Sequence, residues 1–275
     1  MTDFDNLFPD VREQGSTLIV QCQLVMLRML KILDYICRKH DIEYFLVGGS
    51  LLGAIRHKGF IPWDDDLDIG MTRDNYDKFV QLGVSELPAD IFFQTPETDS
   101  YFPASDYLEA KLRDKYSSYS QIGTLKNKWH EGLQVDIFVY DRSFLPCNFL
   151  IITQNVILKL LNNNKKRANV LKWISNHSPF ELVYASNYLH SYGLLRLGKN
   201  FIKAKEIASL VTTKFEDMEV YIPGGWDDCL KRQYGNYMPL PPPEKRISNH
   251  TVLPDPFKPC NHAEILHWEH RIRLR

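Results

Sequence analysis

The sequence FLVGGSLLGAIRHKGFIPWDDDLDIGM occupies residues 45–71 and joins a glycine turn to a group of acidic residues. The apolar start predicts a short strand, Gly48-Gly49-Ser50 predicts a turn, and the apolar spacing after it predicts a short helix. A loop containing Pro62 follows, and the stretch ends in Asp66-Leu67-Asp68-Ile69. Side chains two apart on a strand point the same way, so Asp66 and Asp68 are predicted to share one face.

Two carboxylates on one face repel each other unless a cation lies between them. Oxygen-only ligands suit a hard divalent ion such as Mg²⁺ or Mn²⁺. The alternation therefore predicts that Asp66 and Asp68 hold such an ion, while Leu67 and Ile69 face a core.

The glycine turn predicts a phosphate site beside these acids. A strand that ends in glycines and opens a helix presents free backbone N–H groups and a positive helix end. Gly48 and Gly49 allow close backbone approach, and the Ser50 hydroxyl either caps the helix or hydrogen-bonds an oxyanion. A phosphate cradle beside a metal pair indicates phosphoryl or nucleotidyl transfer.

The composition of the 275 residues excludes some classes of protein. Lys and Arg number 33 against 34 Asp and Glu, which leaves no general basic excess for a dedicated nucleic-acid binder. The five cysteines are widely spaced and contain no CxxC pair, which indicates reduced packing residues of a cytoplasmic protein. No signal peptide or membrane span is predicted. Residues 144–161 fit either a core helix or a helix resting on the inner face of the cell membrane.

Residues 48–71, GGSLLGAIRHKGFIPWDDDLDIGM, resemble the signature of the nucleotidyltransferase superfamily and, more narrowly, the LicD family. That family includes bacterial phosphocholine transferases and is related to fukutin and fukutin-related protein. The specific part runs from Arg56 through Ile61-Pro62-Trp63 to Asp68. The resemblance is clear over residues 27–141 and reappears at 234–238 and 242–246. It implies an α+β fold, with a nucleotidyltransferase-like mixed β-sheet core flanked by helices.

Periodicity and the resemblance together divide the chain into a catalytic core at 17–142 and a mainly helical extension at 143–275 packed on the core. Predicted helices cover residues 17–40, 72–83 and 226–234, and the apolar spacing also predicts helix through most of 149–215. Further strands are predicted at 91–94, 109–113 and 132–139.

Asp136 is an acid inside the apolar strand at 132–139. A lone buried carboxylate is costly unless it is paired or metal-bound. The resemblance implies that Asp136 is the third metal ligand. Lys111 or Arg113, on the preceding strand, is a candidate partner for a phosphate.

Three further basic residues are candidates for anion binding. Arg56 is predicted to hold a phosphate or to fix the acidic loop. Prolines between residues 239 and 243 stiffen a segment that can present Lys245 and Arg246 to an anion, although a solvated charge pair is the open alternative. Trp63 is predicted to fix its loop in the core rather than to stack on a base or sugar.

These residues predict a metal-dependent phosphotransferase. A CDP-linked alcohol binds with its diphosphate against Gly49-Ser50, a hydroxyl attacks the phosphorus that carries the alcohol, and CMP leaves. Asp136 or Asp64 accepts the proton. The resemblance implies CDP-choline as donor and a cell-surface glycan or glycolipid precursor, such as that of lipopolysaccharide or teichoic acid, as acceptor.

Several alternatives remain open at this stage. CDP-ribitol or CDP-glycerol donors would leave the same motif. The same site could transfer NMP from an NTP and release pyrophosphate. A non-catalytic glycolipid-binding scaffold is the third alternative, against which the retention of Asp66, Asp68 and Asp136 argues. The oligomeric state is not predicted.

Overall fold

The computed structural model describes residues 3–102, 110–121, 129–144, 182–186, 201–248 and 252–260. Within these ranges the α-helices are α1 (Phe4–Leu7), α2 (Leu18–Lys39), α3 (Gly48–Arg56), α4 (Arg73–Lys78) and α5 (Trp226–Tyr234). The strands are β1 (Phe45–Leu46), β2 (Asp68–Thr72), β3 (Ile91–Gln94), β4 (Ala110–Asp114), β5 (Ser118–Gln121), β6 (Gln134–Phe144), β7 (Leu182–Ser186), β8 (Phe201–Lys203), β9 (Leu210–Phe215), β10 (Met218–Pro223) and β11 (Val252–Asp255).

A mixed sheet forms the centre of the molecule. Its strands run in the order β1-β2-β6-β4-β3, and β6 also pairs with β7, which pairs with β8. The β2–β6 pair is parallel and the others in this sheet are antiparallel. The predicted α+β fold class is therefore confirmed.

Helix α2 packs against β4 and β6 and supplies much of the core. The Thr17 hydroxyl accepts a hydrogen bond from the Val20 N–H and caps the helix at its start, while Arg38 and Lys39 lie in its last turn, where positive charge is favourable. The residues buried along it recur three and four apart, so the helix predicted at 17–40 is confirmed. The helix predicted at 226–234 is also confirmed, and it ends at Gly235, whose φ is +71°.

The helical prediction for residues 149–215 is wrong in the part that the structure describes. There the chain forms β7, β8 and β9, with one short 3₁₀ turn at Ala204–Glu206. Strand β9 carries the β-branched run Val211-Thr212-Thr213, which favours a strand, and pairs with β10 in a hairpin. The predicted boundary at 142/143 falls inside β6. Residues 145–181 and 187–200, including most of the segment 144–161 that fits either a core helix or a membrane-surface helix, lie outside the described residues.

The β9–β10 hairpin and α5 pack on the core. The Phe215 ring lies 4.9 Å from the Phe60 ring, and Tyr221 makes an edge contact with Tyr44. In the described residues, every helix is too short or too polar to cross a membrane.

Candidate active site

The parallel pairing of β2 with β6 places Asp68 directly beside Asp136. The two residues are register partners, and the Asp136 N–H donates to the Leu67 carbonyl at 2.8 Å. Register partners on neighbouring strands project from the same face of a sheet. Two carboxylates that are far apart in the sequence are thereby brought together.

Asp66 lies two residues before Asp68, in the segment that leads into β2. Leu67 and Ile69 are fully buried, as the alternation predicts, whereas both acids remain partly exposed. The pKa of Asp68 is raised well above its usual range by burial and then by the negative charges of Asp66, Asp136 and Asp64. The four carboxylates therefore form one interacting group.

Helix α3 begins at Gly48, three residues earlier than predicted, so the predicted turn Gly48-Gly49-Ser50 is the first turn of the helix. Gly48 has a φ of +57°, a conformation that favours glycine. A Cβ atom on Gly48 would lie 3.0 Å from the Asp68 Oδ2, and one on Gly49 would lie 2.9 Å from the Asp64 Oδ2. The first helical turn, whose N–H groups have no acceptor within the helix, thus abuts the carboxylates.

Ser50 does not cap α3, so this option of the sequence analysis is wrong. Its hydroxyl accepts a hydrogen bond from the Asp68 N–H at 2.8 Å, and the N-cap residue of the helix is Val47. Ser50 is buried and joins the first turn of α3 directly to the start of β2.

Lys111 reaches the acidic group, but Arg113 does not. The Lys111 Nζ donates to the Asp136 Oδ1 at 2.7 Å, and burial lowers the pKa of this lysine. Arg113 donates instead to the Gln94 side chain and to the Gly132 carbonyl, both at 2.7 Å. Arg113 therefore supports the sheet edge through these hydrogen bonds, and its role as a phosphate partner stays a prediction.

The hydrogen bonds of Arg56 go to residues outside the acidic loop. Its guanidinium donates to the Tyr237 carbonyl and to the His57 Nε2, both at 2.9 Å, and burial lowers its pKa. Arg56 thus joins α3 to the chain that follows α5, and its predicted contact to a phosphate stays a prediction.

The segment after α5 lies across the acidic loop. We call residues 237–248 the C-terminal arm and residues 61–66 the acid loop. The Arg246 guanidinium carbon lies 5.9 Å from the centre of the Trp63 ring, and the Ser248 hydroxyl donates to the Asp65 carboxylate at 2.7 Å. Lys245 is exposed on the arm. Trp63 packs against the core with an edge contact to His57, as predicted for a residue that fixes its loop.

Residues 41–156 match the family model described as LicD/FKTN/FKRP, nucleotidyltransferase domain. The resemblance to the LicD family predicted from the sequence is therefore confirmed over this range. Over 259 residues it is 29% identical to the lipopolysaccharide cholinephosphotransferase LicD of Haemophilus influenzae, an alignment covering 83% of this chain and 94% of that protein.

Two further relatives cover less of the chain. The uncharacterized protein RP689 of Rickettsia prowazekii is 32% identical over 114 residues, which are 35% of this chain and 41% of that protein. The human ribitol 5-phosphate transferase FKRP is 47% identical over 45 residues, which are 16% of this chain and 9% of that protein.

Three residues near the acids of the candidate site were not singled out from the sequence. Asp65 is buried and hydrogen-bonded to the arm. Burial and the charges of Asp65, Asp66 and Asp136 raise the pKa of Tyr119 on β5. Burial and the charges of Asp68, Asp64 and Asp66 raise the pKa of Tyr234 on α5. All three lie in stretches that resemble the LicD family, and Asp65 belongs to the most specific of them, which is the sequence signal that could have found them.

The acids of the candidate site fit a hard divalent cation by their chemistry. The group consists of carboxylate oxygens whose mutual repulsion already raises the pKa of Asp68. Among the described residues, no three His, Cys, Asp or Glu side chains are already arranged around one metal position. Asp66, Asp68 and Asp136 stay the predicted ligands.

Proposed function

We propose that this chain is a metal-dependent phosphotransferase. It moves phosphocholine from CDP-choline to a hydroxyl of a cell-surface glycan or glycolipid precursor and releases CMP. The observation that carries the proposal is the in-register pairing of Asp68 with Asp136 beside the backbone of Gly48 and Gly49. The similarity to a lipopolysaccharide cholinephosphotransferase over most of both chains supports choline and a glycan acceptor.

The first turn of α3 is suited to the diphosphate of the donor. Its N–H groups and the positive end of the helix favour an anion, and the glycines permit close approach. Asp66, Asp68 and Asp136 would hold Mg²⁺ or Mn²⁺, which neutralises charge on the diphosphate when bound. Without a counter-cation, the carboxylates would repel the diphosphate.

Proton transfer is assigned to Asp64. The acceptor oxygen forms a bond to the phosphorus that carries choline, the bond from that phosphorus to the oxygen of CMP breaks, and the acceptor proton needs a base. Asp136 already accepts from Lys111 at 2.7 Å and from Gln134 at 3.4 Å. Asp64 is partly exposed and lies against Gly49, where the diphosphate is proposed to bind.

The proposal is tested by incubating the purified chain and Mn²⁺ with CDP-choline, CDP-ribitol or CDP-glycerol, with and without a lipopolysaccharide or teichoic acid precursor. We expect CMP release that depends on the precursor and is fastest with CDP-choline. Release of pyrophosphate from an NTP would instead indicate nucleotidyl transfer. A chain that binds the precursor but turns over no nucleotide would be a scaffold.

Gly49→Ala should lower kcat/KM about tenfold or more while leaving the fold intact. The added methyl would lie 2.9 Å from the Asp64 Oδ2, so either the carboxylate or the helix must shift. Ala is itself favourable in a helix, which limits the effect on stability to about 1 kcal/mol. Steady-state kinetics measure kcat/KM, and thermal unfolding measures stability. A kcat/KM of Gly49→Ala equal to that of the wild type would contradict the close approach of the diphosphate to Gly49.

Lys245→Ala should raise the KM for the donor by about three- to tenfold and leave kcat nearly unchanged. An exposed lysine that attracts an anion adds binding rather than transition-state stabilisation. The effect should shrink at high salt, because exposed charges are screened. Lys214→Ala, at an exposed position on β9, is the matched control. Equal KM values for Lys245→Ala and wild type would remove this role from Lys245.

A further inference from the structure

Asp65 differs from its two neighbours in where its carboxylate lies. It is 3% exposed, whereas Asp64 and Asp66 are partly exposed. Successive side chains in an extended segment point to opposite sides. Asp65 therefore points into the protein when Asp64 and Asp66 point toward the cation site.

The partner of Asp65 comes from the C-terminal arm. The Ser248 Oγ donates to the Asp65 Oδ1 at 2.7 Å, although the two residues are 183 positions apart. The same arm places Arg246 over the Trp63 ring. Helix α2 also holds the acid loop, because the Gln23 side chain donates to the carbonyls of Ile61 and Asp64 at 3.2 and 2.9 Å.

A second element converges on the same carboxylate. The Tyr119 hydroxyl is buried beside Asp65 and, among the described residues, has no partner in good hydrogen-bond geometry. Tyr119 lies on β5, which pairs with β11 just after the arm, with Tyr119 opposite Pro254. The chain that supplies Ser248 is thus fixed on the strand that supplies Tyr119.

We propose that Asp65 and Ser248 are positioning residues that orient the acid loop so that Asp64 and Asp66 face the cation site. Asp65 itself binds neither the cation nor the substrate. Its carboxylate is the point at which the C-terminal arm, β5 and the acid loop meet. The inference rests on the proposed function for the identity of the site, but the orientation of the loop is measurable without turnover.

The orientation is tested first by hydrogen exchange of the metal-free chain. Ser248→Ala should speed exchange in a peptide covering residues 61–69 by about tenfold, because a hydrogen bond to a charged group is lost. Ser248→Thr keeps the hydroxyl and should exchange as wild type does. Ser209→Ala, at an exposed position just before β9, is the matched control. Unchanged exchange of residues 61–69 in Ser248→Ala would overturn the proposal.

Mn²⁺ affinity distinguishes a positioning residue from a ligand. Electron paramagnetic resonance measures the Mn²⁺ dissociation constant of each variant. Asp65→Asn retains an oxygen that can accept from Ser248, so its Mn²⁺ dissociation constant should stay within about threefold of wild type. Asp65→Ala and Ser248→Ala should weaken Mn²⁺ binding about tenfold or more. Asp68→Asn should weaken it about a hundredfold or more. If Asp65→Asn is as impaired as Asp68→Asn, Asp65 is a ligand and the proposal is wrong.

The two proposals fail in different ways. A wild-type chain that binds Mn²⁺ in the expected order of variants but releases no CMP would contradict the transferase and leave the positioning role supported. A chain that releases CMP normally with Ser248→Ala, and whose Mn²⁺ affinity is unchanged, would contradict the positioning role alone. A wild-type chain without Mn²⁺ affinity would contradict the cation site, while exchange of residues 61–69 would still decide whether Ser248 orients the loop.

Discussion

Asp68→Asn is expected to lower kcat by on the order of 10³-fold while making the metal-free protein more stable at neutral pH. Loss of one carboxylate ligand removes several kcal/mol of charge stabilisation from the transition state, and about 1.4 kcal/mol corresponds to a tenfold change in rate. The stabilisation follows because Asn removes one negative charge from a group that already contains Asp64, Asp66 and Asp136.

The gain in stability should depend on pH. The pKa of Asp68 in the folded chain is raised above the value of about 3.9 expected in the unfolded chain. Between these two pKa values the folded state holds a proton that the unfolded state has lost, so the wild type loses stability as pH rises through this window. Asn cannot titrate. The difference in free energy of unfolding between the variant and the wild type should therefore grow as pH rises from about 4.

Urea unfolding in the presence of a chelator, at several pH values, measures this difference. Asp77→Asn is the matched control. Asp77 lies on α4, its side chain is 57% exposed, and its contact to Arg73 is long, at 3.9 Å. It should change the free energy of unfolding by less than about 1 kcal/mol and leave CMP release unchanged. CMP release at the wild-type rate by Asp68→Asn would contradict the site. A metal-free variant less stable than wild type at every pH would contradict the repulsion among the acids.

Lys111→Met is expected to lower the free energy of unfolding of the metal-free protein by about 3–5 kcal/mol. Lys111 and Asp136 form a buried ion pair, and removing one partner leaves the other charge buried without compensation. The loss of stability should be larger here, because Asp136 also lies beside the Asp68 carboxylate and the two repel each other. Saturating Mn²⁺ should restore part of the stability, since the acids then share a cation again.

Lys31→Met is the matched control for this variant. Lys31 also forms an ion pair, with Asp217 at 2.6 Å, but the Asp217 side chain is 66% exposed. Its loss should cost less than about 1 kcal/mol. Both variants are measured by urea unfolding with and without Mn²⁺. Equal effects of the two substitutions, or no recovery of Lys111→Met with Mn²⁺, would show that the Lys111–Asp136 pair is not the counter-charge of the acidic group.

Local patterns in the sequence predicted the elements that surround the site. The alternation Asp66-Leu67-Asp68-Ile69 correctly separated the buried from the partly exposed side chains. Helix α2 follows Thr17, and α5 ends at Gly235, as the capping residues indicate. These features depend on residues a few positions apart, so a single sequence contains enough information to predict them.

Several roles in the candidate site could not be predicted in this way. Three polar side chains form hydrogen bonds with partners that are distant in the sequence, and packing decides which partners they meet. They belong to Arg56, Arg113 and Ser50. The strands β7 and β8 were missed because their pairing partners lie far along the chain. Residue composition alone distinguishes such strands poorly from helices.

By itself, the sequence determined that a glycine pair lies beside a short helix and that an acid-apolar alternation follows, because helix and strand geometry are local properties of the chain. Only the tertiary structure decided that Asp68 pairs with Asp136, that Lys111 neutralises Asp136, and that Ser248 holds Asp65. These contacts depend on strand register and on the path of the C-terminal arm. Both are selected by burial of the whole core, which no short stretch of sequence contains.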